Sequence, residues 1–96
     1  MSDTKSILSI AKRTLEIESK AVANLIGLLD EQFAQAVQYI LASNGRVIVS
    51  GVGKSAIVAS KIVATLNSTG TPAIFMHAAD AIHGDLGTIQ ENDVVI

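Results

Sequence analysis

The run Val47-Ile48-Val49-Ser50-Gly51-Val52-Gly53-Lys54-Ser55 constrains this chain more than any other stretch. A β-branched triplet enters a glycine-rich turn, and apolar residues then recur at helical spacing through about Asn67. Ser68-Thr69-Gly70-Thr71-Pro72 reads as a connector and Ala73–Met76 as a second buried strand. Ala78–Leu86 reads as a helical turn carrying polar residues, and Glu91-Asn92 turns into a third strand, Asp93–Ile96. Strand, glycine turn, helix, strand is the grammar of a parallel sheet, so the expected class is α/β. A parallel strand normally needs cover on both faces, and nothing follows the strand that begins at Asp93. The expectation is a sequence that stops before its sheet is complete.

The front of the chain is helical. Ile7, Ile10, Ala11, Leu15, Val22, Leu25, Ile26 and Leu29 recur at helical spacing, with Lys12, Arg13, Glu16 and Lys20 largely opposite. Gly27 either ends this helix or bends it. Asp30 is the N-cap candidate of a second helix through about Ala42, with Phe33, Ala36, Val37, Ile40 and Leu41 inward. Asn44-Gly45 should close it as a left-handed cap. The expected organisation is one incomplete domain over 1–96, a helical arm at 1–44 and the first βαβ part of the sheet at 45–96.

Composition narrows the function classes. Half the residues are apolar (49%) and 17% are charged, which suits a packed globule rather than a disordered chain. A net charge of −2 without any Lys/Arg cluster argues against nucleic acid and against an anionic membrane surface. With no cysteine there is neither a disulfide nor a thiolate metal site. Met1-Ser2-Asp3-Thr4-Lys5 is not the basic start of a leader, and the apolar runs are too short to cross a bilayer. The expected compartment is the cytoplasm.

Three functional readings compete for the glycine turn. A phosphate-binding Walker loop needs glycine where Ile48 stands, inside the strand, so the wide loop cannot form. Gly51-x-Gly53-x-x-Ala56 fits the dinucleotide fingerprint, but the acid expected about twenty residues on is absent, the nearest being Asp80. The third reading is a sugar-phosphate site. Here Lys54 supplies a compact positive charge beside the unpaired N–H groups of a helix start. A solvated lysine at a helix start is the plain alternative. The position at the carboxyl end of a strand, where open α/β sheets bind ligands, favours the sugar-phosphate reading.

Both histidines fall within Met76–Leu86. His77 ends a strand, and His83 follows Asp80 at i+3, so a helical turn would place carboxylate and imidazole on one face. Such a pair raises imidazole basicity and suits proton transfer. The plain alternative is a histidine bonded to loop backbone. No tight metal-ligand spacing is present.

The segments Val47–Ser55, Asn67–Pro72 and His83-Gly84-Asp85-Leu86-Gly87, in that order, resemble the opening of bacterial arabinose-5-phosphate isomerases. These are proteins of the sugar isomerase (SIS) domain family. The resemblance implies a three-layer, doubly wound domain, a parallel sheet flanked by helices. The activity it implies is interconversion of D-arabinose 5-phosphate and D-ribulose 5-phosphate, feeding the synthesis of Kdo for bacterial lipopolysaccharide and other surface polysaccharides. It marks Lys54 as catalytically relevant, Gly70 and Thr71 as a substrate-contacting pair, and His77 and His83 as substrate-binding. It also implies that His77 can take a divalent metal such as zinc, and that the protein is a homo-oligomer. Asp80 stands where relatives commonly carry glutamate. The family's Ser-x-Ser-Gly phosphate loop and regulatory CBS modules are not in this sequence.

The implied chemistry is proton transfer between C1 and C2 through an enediol, with no redox cofactor. Lys54 is expected to stabilise charge and His83 to open the ring or shuttle a proton. A non-catalytic sugar-phosphate sensor of the same domain type is the rival. The Asp80/His83 pair favours the enzyme, because a sensor needs no proton shuttle.

Overall fold

The computed structural model describes residues 3–96. Met1 and Ser2, where the reading against a leader begins, lie outside the described residues. Two compact units divide between Ala34 and Gln35.

The first unit holds helix α1, Thr4–Asn24. Asp3 caps it, its carboxylate accepting the Ser6 N–H at 2.7 Å and the Ser6 hydroxyl at 3.1 Å. Gly27 falls in a 3-10 turn over Leu25–Leu28, so the helix ends there and does not bend through. No residue of α1 is buried, and Leu15, Val22 and Ile26 of this unit are exposed. Helix α2, Glu31–Ala42, is capped by Asp30, whose carboxylate accepts the N–H groups of Gln32 and Phe33 at 3.0 and 3.3 Å.

The second unit contains the sheet. Strand β1, Val47–Gly51, lies between β2, Ala73–His77, and β3, Val94–Val95, and both pairings are parallel. Helix α3, Gly53–Ser68, connects β1 to β2. A short helix α4, Ala78–Ile82, and a 3-10 turn, Asp85–Thr88, connect β2 to β3. The two crossovers run in opposite directions across the sheet, so right-handed connections put them on opposite faces. Val47, Val49, Ala59 and Ala73 form the core on the α3 side, with Ile40, Val63, Leu66 and Phe75 packed against them. Ile48 alternates to the other face and has no exposed surface.

Phe33, Val37 and Leu41, which the helical spacing placed inward on α2, are exposed, and two further details differ from the sequence expectation. Gly45 is not left-handed; the residues with positive φ are Gly53, Gly70 and Gly84. Its glycine requirement is close approach: a Cβ there would run into the Asn92 carbonyl and the Asp93 amide. The Ser43 hydroxyl seals this contact, donating to the Asn92 carbonyl at 2.9 Å and accepting the Gly45 N–H at 3.0 Å. Asp93 is the second difference, since its carboxylate closes the sheet's first edge where a strand residue was expected. It accepts from Arg46 Nε at 3.2 Å, Arg46 Nη2 at 2.8 Å, the Arg46 N–H at 2.9 Å and the Gln90 N–H at 2.7 Å. Its side chain is 1% exposed. The Arg46 guanidinium, followed by the Gln90 and Arg46 N–H groups, holds this carboxyl well below the usual carboxylate range. Pairing resumes at once beyond it, with the Ile96 N–H on the Ile48 carbonyl at 2.8 Å.

Candidate functional site

The site begins at the carboxyl edge of the sheet. In the parallel register Gly51 stands beside His77, so the glycine turn and the end of β2 open onto the same edge. Gly51 must be small, because a Cβ would press on the Ser55 and Ala56 backbone at 3.1–3.2 Å. Val52 is extended, and Gly53 opens α3 at φ +58, the left-handed region where a side chain is strained. No side chain caps α3, so its leading N–H groups are left for solvent or a ligand. Lys54 is exposed in that first turn. Beside it runs an open groove of about 400 Å³ lined by Val49, Ser50, Lys54, Ser55, Val58 and Ile96 among others. The two serines were not singled out in the sequence, although both belong to the glycine turn that was.

A larger hollow of about 530 Å³ lies along α1, between Lys5, Leu8, Lys12, Arg13 and Glu16. All its walls are surface side chains of one helix, with no second element to enclose a ligand. It is a poorer site than the smaller groove.

His77 is half-buried and serves as the N-cap of α4. Its Nδ1 accepts the Ala79 N–H at 3.1 Å, and its ring meets Phe75 edge-on, with centroids 6.2 Å apart. His83 is exposed at the other end of α4, its backbone N–H donating to the Asp80 carbonyl at 3.0 Å. Among the described residues the Asp80 carboxylate and the His83 imidazole form neither an ion pair nor a hydrogen bond, so the expected carboxylate–imidazole pair is not made. The reason is local: only five residues of helix precede the cap, and His83 leaves the helical conformation at φ −95, ψ 15.

Gly70 and Thr71 lie elsewhere. They precede β2, and the whole strand from Ala73 to His77, about 13 Å long, separates that edge from His77. The Thr71 N–H donates to the Leu66 carbonyl at 2.8 Å. Next to them the Asn67 amide brackets Ala73, donating to its carbonyl at 3.0 Å and accepting its N–H at 2.8 Å. Lys54 and His77 therefore share an edge within one chain, and the Gly70–Thr71 pair does not join them.

A divalent metal at His77 finds little support in the donor set. Among the described residues no three His, Cys, Asp or Glu side chains gather closely enough to hold an ion. The Nδ1 of His77 is already engaged.

The SIS domain family matches residues 40–96, and the chain belongs to that family. Two curated relatives share its sequence closely. One, the arabinose 5-phosphate isomerase KdsD of Pseudomonas aeruginosa, is 46% identical over 96 residues, all of this chain and 29% of the relative. The other, the arabinose 5-phosphate isomerase GutQ of Escherichia coli, is 44% identical over 93 residues, 97% of this chain and 29% of the relative. Among solved structures, an Escherichia coli CFT073 protein in complex with arabinose 5-phosphate matches with a TM-score of 0.90 at 39% identity, over 97% of this chain and 50% of that one. The chain thus spans under a third of those curated relatives and half of that solved chain. The α/β class with a parallel sheet of this family is as expected from the sequence. Among the described residues no helix is long and apolar enough to cross a membrane.

Proposed function

We propose that this chain forms the front of an isomerase site that interconverts D-arabinose 5-phosphate and D-ribulose 5-phosphate. One observation carries the reading. The Gly51–His77 register brings the glycine turn, Lys54 and His77 to one sheet edge, in a chain whose curated relatives bear that activity in their names.

The reaction moves a proton between C1 and C2. Negative charge develops on the carbonyl oxygen as the enediol forms, and a fixed cation lowers that barrier. Lys54 is assigned that role, and its removal should cost about 10²–10³ in turnover. His83 is assigned to ring opening or proton shuttling, now without help from Asp80. The step needs no redox cofactor. The base that takes the C–H proton is not assigned to any residue here.

Gly70 and Thr71 keep their proposed substrate contact in one arrangement. Set before β2, at the end opposite His77, they would touch a sugar bound by a second copy, which is the supporting reason for a homo-oligomer. Cytoplasmic residence and a place in Kdo and lipopolysaccharide synthesis belong to the same proposal.

The absent Asp80–His83 pair favours keeping the sensor as a second reading, since that pair was what distinguished an enzyme. The test is an NMR titration with arabinose 5-phosphate, using NAD and ATP as controls. Selective shifts at Lys54 and His77 support the sugar-phosphate site. Equal response to NAD, or none in a folded protein, refutes it. Binding without turnover selects the sensor.

A further inference from the structure

The fold tells the two ring nitrogens of His77 apart. Nδ1 accepts the Ala79 N–H at 3.1 Å and so caps α4. A nitrogen that accepts an N–H presents its lone pair, and a neutral imidazole then carries its one proton on Nε2. Phe75 meets the ring at an interplanar angle of 83°, fixing its tilt from the side. Nε2 is left as an N–H donor at the end of β2, with no in-plane lone pair for a cation.

We infer that His77 is a fixed hydrogen-bond donor through Nε2 to an oxygen of the bound sugar phosphate, and that a divalent metal on this ring is incompatible with a capped α4. The identity of the acceptor rests on the sugar-phosphate reading; the position of the proton does not. A metal on Nε2 requires the proton to move to Nδ1, where it would oppose the Ala79 N–H donor against donor. A metal on Nδ1 displaces the Ala79 N–H outright. Either route releases the first turn of Ala78–Ile82, the segment that carries Asp80 and leads to His83. The metal implied by the family resemblance therefore conflicts with this chain's own hydrogen bonding, quite apart from the lack of a three-ligand cluster among the described residues.

The test uses the full protein, labelled with ¹⁵N and studied at mildly alkaline pH. Ring-nitrogen spectra should show Nδ1 of His77 without a proton and Nε2 with one, and a through-bond correlation should link Nδ1 to the Ala79 amide. Zinc should bind His77 only with loss of that correlation and a shift of the Ala79 amide. A proton on Nδ1, or zinc on Nε2 with the Ala79 signals unmoved, overturns the inference. His77→Asn should keep the Ala79 amide shift, because asparagine also caps, and should lose the zinc response. Loss of the Ala79 shift in that variant counts against the cap. Arabinose 5-phosphate should move the Nε2–H signal. If it binds without doing so, the donor assignment fails while the tautomer stands. If it does not bind at all, the functional reading fails instead.

Discussion

Gly45→Ala should be among the most damaging single-methyl additions to this protein. A Cβ at that position would overlap the Asn92 carbonyl and the Asp93 amide, which are backbone atoms with no rotamer to escape into. Relief requires the turn at 91–93 to retreat. Retreat strains the Ser43 hydroxyl bond to Asn92, the Arg46–Asp93 pair and the Val94 N–H bond to the Arg46 carbonyl. Overpacking costs about 1–3 kcal/mol, and a lost hydrogen bond adds about 1 kcal/mol. A loss of about 3 kcal/mol in unfolding free energy is expected, roughly a 150-fold change in the folding equilibrium. Urea denaturation followed by circular dichroism measures it as a drop in midpoint of about 2 M for a domain of this size. Gly27→Ala is the control, because nothing lies within 4 Å of its added Cβ and its φ is not positive. It should be neutral or slightly stabilising. If Gly45→Ala stays within about 0.5 kcal/mol of the parent at unchanged slope, close approach is not why glycine is needed there.

Ile48→Ala, at a position with no exposed surface, should cost about 2–5 kcal/mol by the same denaturation measurement, and a cost below 1 would show that the face opposite α3 is not packed. Asn67→Ala removes the amide that holds both backbone groups of Ala73 and should cost about 1–3 kcal/mol, while Asn67→Asp should restore only the half that accepts the Ala73 N–H. The depressed Asp93 carboxyl contributes stability that is complete above its unfolded value of about 4 and drains away as pH falls towards its folded one. Asp93→Asn should therefore flatten the acid side of a stability–pH profile; a profile as steep as the parent's would remove Asp93 from that role.

Local chemistry made much of the architecture legible in the sequence. Asp30 caps α2 because its short carboxylate reaches the next N–H groups, a relation written within three residues. The β-branched Val47–Val49 run and the glycines after it mark a strand entering a helix, and the sheet has that strand at its centre. Contacts between distant segments were not legible. Arg46 and Asp93 lie 47 residues apart, and no periodicity joins them. Asn44-Gly45 looks like a left-handed cap, yet the deciding neighbour is Asn92, far along the chain.

The candidate site divides the same way. The edge shared by Lys54 and His77 follows from strand ends that the sequence marks clearly, since residues closing parallel strands meet at one edge. The separation of Gly70 and Thr71 from that edge depends on which end of β2 they join, and three motifs in chain order carry no such distance. The Asp80–His83 spacing suited a helix, but the helix stops too soon to hold the pair together.

The most direct test of the central claim is the conversion of arabinose 5-phosphate to ribulose 5-phosphate by the full protein and by its Lys54→Ala variant. The proposed function predicts turnover by the parent and a loss of about 10²–10³ in kcat for a variant that stays folded. A folded parent that makes no ribulose 5-phosphate, or a variant that turns over at the parent's rate, would contradict it.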